Sequence, residues 1–455
     1  MTRASAETPS LPFVLEPKPS EWWAMAIHAV TLAWLLARFV ARYSLVIFRE
    51  LVLELPISAD ALRTLNEKTA NEYVKAAMSL KGGTIKLGQF ISARADISPP
   101  ELVRILGQLQ DRVEAAPWDY VGKTLAEQYG SDPEQVFASI DHKAVAAASF
   151  GQVHKAVTRD GQRVIVKVLH RHIERSLRVD LTLFRIAVFF FGRLFPRFQL
   201  SKVYDEIAQV TLDELDYGRE ARSADRVREI LKDDPRVKVP AVIWAHSTPR
   251  VLCLEDISGE RIDDAAFIAS TGGSPREVLR AVIGAYCQQI YVAGFFQSDP
   301  HPGNFFYYPP TGAGGPIIGI IDFGQAKEMP QKAHEGLRRA VTAVLRRDAE
   351  GFLAAMVDLD VLETAELHKV RHVVDSLAEQ IKTGSVQEVM QLDYERLARD
   401  VARALRDLDA LSVPNDLILY GRTLGLLHGL GFKLDPTLPV FEVAAPYLMK
   451  FAFGD

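Results

Sequence analysis

Residues 297–306 read QSDPHPGNFF, and residues 317–324 read IIGIIDFG. Asp299 and Asn304 stand five apart, and Asp322-Phe323-Gly324 follows the apolar run 317–321. Each residue type suits one task in moving a phosphoryl group. A carboxylate, here Asp299, can take or orient the proton of an incoming nucleophile. An amide oxygen and a second carboxylate, here Asn304 and Asp322, are hard ligands that hold Mg²⁺ against the phosphates of ATP. Either piece alone is common in proteins. Their order and the apolar flank make the combination specific, against the plain alternative of a turn Asp, a capping Asn and a hairpin Gly.

Working outward, the chain has 455 residues, enough for two or three packed lobes. Hydrophobic residues make up 48% and charged residues 24%, so most of the chain is expected to fold. A net charge of −5 gives no global attraction to nucleic acid or an anionic membrane. Cys253 and Cys287 are the two cysteines, both in apolar stretches, which argues for a reducing compartment without a disulfide framework. No secretory signal is evident, and the first 20 residues, with four prolines, read as a loose tail. Residues 22–37 are free of charge but interrupted by His28, short for a bilayer span. No transmembrane segment is therefore expected, and a cytoplasmic protein is. Continued to residue 55, the segment reads as a long helix with one polar stripe of His28, Thr31, Arg38, Arg42 and Arg49. Such a helix packs on the protein itself or a partner, with a peripheral membrane contact as the minority reading.

The pattern divides the chain into a tail (1–20), a helical extension (21–115), a small β-containing lobe (116–260) and a helical lobe with the catalytic segment (261–455). In the second lobe, ASFGQVHKAVTRDGQRVIVKVL alternates on both sides of Asp160-Gly161, a hairpin signal. Residues 171–232 read as helical, and KVPAVIWAHSTPRVLCLEDISG as two more strands. From Asp263 onward the chain reads as mainly helical, and after Gly324 it enters a helix near Pro330, a good first-turn residue. A small β-containing lobe before a larger helical one is the bilobal, α+β architecture of protein kinases.

Within that frame, Lys167 in RVIVKVL is a strand lysine able to reach the α and β phosphates. Periodicity alone leaves a solvent-facing lysine open, because Val164, Val166 and Val168 take the other face. The stretch Ala146-Ala147-Ala148-Ser149-Phe150-Gly151 stands where kinases carry G-x-G-x-x-G. Alanine disfavours the positive φ that glycine allows, so this loop should meet phosphates differently, with Ser149 offering its hydroxyl. Gln297 and Ser298 replace the His and Arg of H-R-D, and no A-P-E or long activation segment follows Gly324. The platform for a peptide substrate is missing, which argues against an ordinary protein kinase.

Over residues 75–435 the chain resembles the UbiB/AarF family of atypical kinase-like proteins. Lys86-Leu87-Gly88-Gln89 looks like that family's K-x-G-Q, and LQDRVEAAPW, AAASFGQVHKA, VIVKV, DELDYGREA, DPHPGN and DFG follow in family order. The resemblance implies that Glu220 in YGREA is the glutamate that pairs with Lys167. It likewise implies that Glu214 and Asp216 in ELD form an E-x-D pair near Lys86, and that Lys86, Gln89, Glu214 and Asp216 belong to the cofactor-binding set. Spacing alone would not choose them: Glu174 and Asp180 lie closer to Lys167, and Glu206 is as good on helical grounds. The resemblance also implies a K-x-G-Q helix folded over the cleft where a protein substrate would sit. It further implies binding of ATP or ADP with Mg²⁺, ATPase or kinase activity, and support of isoprenoid-quinone or lipid metabolism, with isoprenoid or lipid ligands or quinone-biosynthesis proteins as partners.

The sequence departs from the family at Gln297, where many members have His, and in the C-terminal stretch, which has no apolar run like their paired membrane helices. Two other functions fit parts of the pattern. A small-molecule phosphotransferase of the aminoglycoside or choline kinase type shares the Asp-x-His-Pro-Gly-Asn-like loop but lacks K-x-G-Q. A nucleotide-gated scaffold without turnover would keep the same ligands. His301 is read as a loop residue bonded to backbone, with a role as second base or metal ligand as the alternative. The pairs Arg338-Arg339 and Arg346-Arg347 are read as a solvated helix face.

Overall fold

The computed structural model describes residues 19–51, 53–93, 98–109, 115–194, 200–312, 314–346, 348–362, 364, 367, 371 and 414–454. The tail at 1–18, residues 110–114 of LQDRVEAAPW, and Arg347 lie outside the described residues. The chain forms two compact units: residues 1–219 with 243–256, and residues 220–242 with 257–455. Residues 220–242, grouped by pattern with the β-containing lobe, thus belong with the C-terminal unit.

The first unit opens with helices α1 (Pro19–Leu51), α2 (Ala59–Leu80), α3 (Gly83–Ala93) and α4 (Pro100–Leu106). The Ser58 hydroxyl caps α2 by accepting the Ala61 amide at 3.2 Å, satisfying one of the orphan donors of a helix start. Leu32, Leu35 and Phe39 of α1 share a core with Tyr73, Val74 and Ala77 of α2. Of the stripe read as the polar face of α1, His28, Arg38 and Arg42 are partly buried, while Thr31 and Arg49 stay exposed. His28 Nε2 meets Asp180 at 2.5 Å, and Arg42 donates to Glu72 at 2.8 Å. The face left outside is apolar, with Trp23, Ile27, Val30, Trp34 and Leu45 exposed. Residues Met25–Glu50 are long and apolar enough, by length and composition alone, to cross a membrane. The apolar character expected to end before Arg38 runs on along the helix through Val46 and Ile47.

After α5 (Trp118–Tyr129) and α6 (Pro133–Val136) comes an antiparallel sheet of β1 (Phe137–Ile140), β2 (Ala146–Ala147), β3 (Gly151–Thr158), β4 (Arg163–Leu169) and β6 (Val251–Glu255). The β3–β4 hairpin runs in register from Gly151↔Leu169 to Val157↔Arg163, and its turn glycine, Gly161, sits at φ +88° as the Asp-Gly signal requires. Val164, Val166 and Val168 are buried beneath this sheet with Phe137, Leu125 and Cys253. Helices α7 (Ile173–Leu194), α8 (Leu200–Asp213) and the start of α9 (Tyr217–Leu231) complete the unit.

In the second unit the long buried face of α11 (Pro275–Cys287) packs with Phe305, Tyr307, Ile318, Ile320 and Phe323. The short α10 (Ala265–Ser270) precedes it. A four-stranded sheet orders β5 (Val237–Lys238), β10 (Ile317–Ile320), β9 (Phe305–Tyr308) and β7 (Glu260–Arg261), and β8 (Phe295–Gln297) pairs with β11 (Ala326–Glu328). Val237–Lys238 is one of the two strands expected there, and it runs parallel to β10. After Gly324 the chain first forms β11, which pairs with β8, and then enters a helix at Gln331, where one was expected near Pro330. Helices α12 (Gln331–Arg346), α13 (Ala349–Asp358), α14 (Asn415–Leu434) and α15 (Val440–Phe453) follow.

Candidate active site

In the second unit the β9–β10 hairpin ties the Asn304 backbone to the residue before D-F-G. Its register pairs Ile320 with Phe305, and one step further the Ile321 amide donates to the Asn304 carbonyl at 3.1 Å. Asp322 is the next residue, one step past that backbone bond. The Asn304 Nδ2 donates to the Asp299 carbonyl at 2.9 Å, which leaves its amide oxygen for another partner. One oxygen of Asp322 accepts the Gly324 amide at 3.0 Å, fixing the carboxylate while the other oxygen remains. Two hard oxygens of this kind suit Mg²⁺, which takes few protein ligands and completes its shell with water and phosphate. Among the described residues no cluster of three His, Cys, Asp or Glu suits a softer metal.

Gln297 explains how the segment stands without the H-R-D histidine. Its Nε2 donates to the Asp299 carbonyl at 2.7 Å, its Oε1 accepts the Tyr286 hydroxyl, and its backbone amide donates to Gln289 at 3.1 Å. Gln289 comes from a π-turn at 288–292 that ends α11, a local distortion that turns its amide toward β8. All three side chains are buried, and burial holds the Tyr286 phenol far above its ordinary pKa. The Asp299 carbonyl is thereby gripped by two amides, one on each side along the chain. Ser298 adds a third tie, its hydroxyl donating to the Gln325 carbonyl at 2.7 Å. Glu220, in the first turn of α9, is buried, and its carboxylate lies against the glycine of D-F-G: a Cβ on Gly324 would stand 3.7 Å from Glu220 Oε2. His301 accepts the Gly303 amide at 3.1 Å, the backbone contact expected of it, with its ring exposed.

The first unit gathers the other residues singled out in the sequence. Lys167 lies on β4 opposite Val153 and Leu252, half-buried on the face away from the three valines. Ala146 and Ala147 pair with Val153 and Gln152, and the Ala148 amide donates to the Gly151 carbonyl at 2.8 Å, so the Ala-rich stretch is a tight hairpin. None of its residues takes a positive φ, as its alanines require. Gly151 is needed for a different reason: a Cβ there would stand 2.5 Å from the Val168 carbonyl oxygen and 2.8 Å from the Tyr217 hydroxyl. Ser149 does not hang free, since its buried hydroxyl donates to Gln89 at 3.4 Å, and Gln89 donates on to the Leu109 carbonyl at 3.0 Å.

Lys86 forms an ion pair with Glu214, the first carboxylate of E-x-D. Asp216 caps α9, accepting the Arg219 amide at 2.8 Å. Of the alternatives left open by spacing, Glu174 pairs with Arg250 at 3.4 Å and Asp180 with His28. The side chain of Glu206 lies outside the described residues.

The ABC1 atypical kinase-like domain, as a family model, matches residues 108–356. This chain belongs to that family. As an ABC1 chain it is 30% identical over 421 residues to the chloroplastic Protein ACTIVITY OF BC1 COMPLEX KINASE 8 of Arabidopsis thaliana, covering 85% of this chain and 55% of that protein. It is 26% identical to the AarF domain-containing protein kinase 1 of Xenopus tropicalis, covering 81% of this chain and 71% of that one. The chain spans about half the length of the curated relatives it matches first. Among solved structures, the Rv3197–erythromycin complex from Mycobacterium tuberculosis is 26% identical, with a TM-score of 0.55 over 87% of this chain and all of that one. The fold is therefore the bilobal, kinase-like α+β fold of the ABC1 family. Sequence reasoning missed Tyr286, Gln289, Arg422 and Thr423, which surround the catalytic segment. No local spacing links them to it, because all four reach it only through packing of α11 and α14.

Proposed function

We propose that this chain is a Mg²⁺-dependent ATP-binding enzyme that transfers the γ-phosphoryl group to water or a small acceptor. The observation that supports this reading is Asn304, whose side chain holds the Asp299 carbonyl while its backbone carbonyl accepts the amide of Ile321, the residue before D-F-G. Asn304 and Asp322 hold the metal, which when bound neutralises phosphate charge. Asp299 orients the nucleophile and takes its proton at the carboxylate. Lys167 and Glu220 position the phosphates, and Ala146, Ala147, Ala148, Ser149 and Gly151 form the loop that approaches the nucleotide. Lys86, Gln89, Glu214 and Asp216 brace that loop and its neighbouring helix rather than perform chemistry. The ion pair of Lys86 and the Gln89–Ser149 bond support this role.

The setting we propose is isoprenoid-quinone or lipid metabolism, which rests on the family resemblance. The exposed apolar face of α1 supports a peripheral lipid contact there. The deciding experiment is thermal unfolding with MgATP. Wild type at a hundredfold excess over Kd should gain about 2.7 kcal/mol, and Asp322→Asn should gain almost nothing. An equal gain in the variant would overturn the metal assignment.

A further inference from the structure

Between Asp299 and Asn304 stand Pro300, His301, Pro302 and Gly303, so the catalytic loop carries no lysine or arginine of its own. Phosphoryl transfer gathers negative charge on three equatorial oxygens, and a cation fixed beside them is a large part of its catalysis. The second unit brings such a cation from far along the chain. On α14 the buried Thr423 hydroxyl donates to the Ser298 carbonyl at 3.1 Å, anchoring the helix to the residue before Asp299. The adjacent Arg422 places Nη2 at 3.7 Å from Asp299 Oδ1, with 37% of its side chain still exposed. That separation draws the guanidinium toward the carboxylate but is too long for a hydrogen bond. Its five donors form a planar fork of the geometry that phosphate oxygens accept.

We propose that Arg422 is a catalytic residue that contacts the phosphoryl group in transfer, an arginine finger supplied in cis by α14. The inference rests on the ATP reading above. In the step, the nucleophile's oxygen bonds to the γ phosphorus as its bond to the bridging oxygen breaks. The electron pair leaves with ADP, and the nucleophile's proton passes to Asp299. Arg422 faces the charge that develops between them. A simple surface ion pair with Asp299 would give Arg422 no such role.

The test measures kcat and KM for MgATP turnover, and MgADP affinity by thermal shift, in wild type, Arg422→Ala, Arg422→Gln and Arg422→Lys. The expectation is a fall in kcat of about a hundredfold or more for Arg422→Ala and Arg422→Gln. MgADP affinity should stay within about threefold, and added guanidinium should restore part of the Arg422→Ala rate. Arg422→Lys should fall between, since it keeps the charge and loses the fork. If Arg422→Ala unfolds, the polar, uncharged Arg422→Gln carries the same comparison. An active wild type with Arg422→Gln within about threefold of its kcat would overturn the role of Arg422 alone. A wild type that neither binds nor turns over MgATP would overturn the nucleotide reading, and the arginine role with it.

Discussion

The Lys86 ammonium of the K-x-G-Q helix is paired with the Glu214 carboxylate at the end of α8, and each side chain is less than one-fifth exposed. The pair binds α3 to the helix that leads into α9. Removing one partner leaves a partly buried charge without its counter-ion. Lys86→Ala and Glu214→Ala should each cost about 1–3 kcal/mol of unfolding free energy. The double variant should cost less than their sum, and urea unfolding of all four proteins measures that coupling. Additive losses would show that the pair contributes nothing beyond its separate side chains.

The glycine of K-x-G-Q is set by packing, not by backbone conformation. A Cβ on Gly88 would fall 2.3 Å from Leu109 Cδ1 and 3.0 Å from Tyr73 Cε1. Tyr73 is itself held by its hydroxyl bond to the Thr84 carbonyl at 2.6 Å. Gly88→Ala should therefore lower stability by about 1–3 kcal/mol, the usual cost of overpacking. Thermal unfolding checks it, and an unchanged Tm would show that Leu109 moves aside freely.

Gln297→Leu keeps the size of the side chain but removes one of two donors to the Asp299 carbonyl and the acceptor for Tyr286. Leaving the buried Tyr286 hydroxyl unsatisfied should cost about 1–3 kcal/mol. Turnover should fall further than stability alone explains, because Asp299 loses its fixed placement. Steady-state kinetics well below the melting temperature separates the two effects.

Burial pushes both thiols up, Cys253 and Cys287 each to about 12. Their unfolded pKa is lower, near 9. The native state thus holds the thiol proton more tightly than the unfolded chain does. The resulting stability is fully present below pH 9 and is lost as pH rises toward 12. Cys253→Ala should flatten that alkaline decline in denaturant melts. Native protein at pH 8 should not react with a thiol reagent until it unfolds; prompt labelling of two thiols would contradict the burial.

The sequence by itself determined the order of the chemistry and the local elements that carry it. Alternation around Asp160-Gly161 specified the β3–β4 hairpin, and D-x-x-x-x-N before an apolar run and D-F-G marked the candidate site segment. These signals are local: backbone conformation and side-chain periodicity act within a few residues, so they are legible without the fold. The tertiary structure alone decided which groups meet. The stripe on α1 was legible as polar, but only the carboxylate partners Asp180 and Glu72 showed that His28 and Arg42 face the protein. Glu214, Asp180 and Glu174 looked alike as acids, and packing assigned each a different partner: Lys86, His28 and Arg250. Arg422 reached Asp299 because α14 docks through Thr423. A charge is defined by its neighbours in space, and helix packing brings together residues that no spacing in the chain relates.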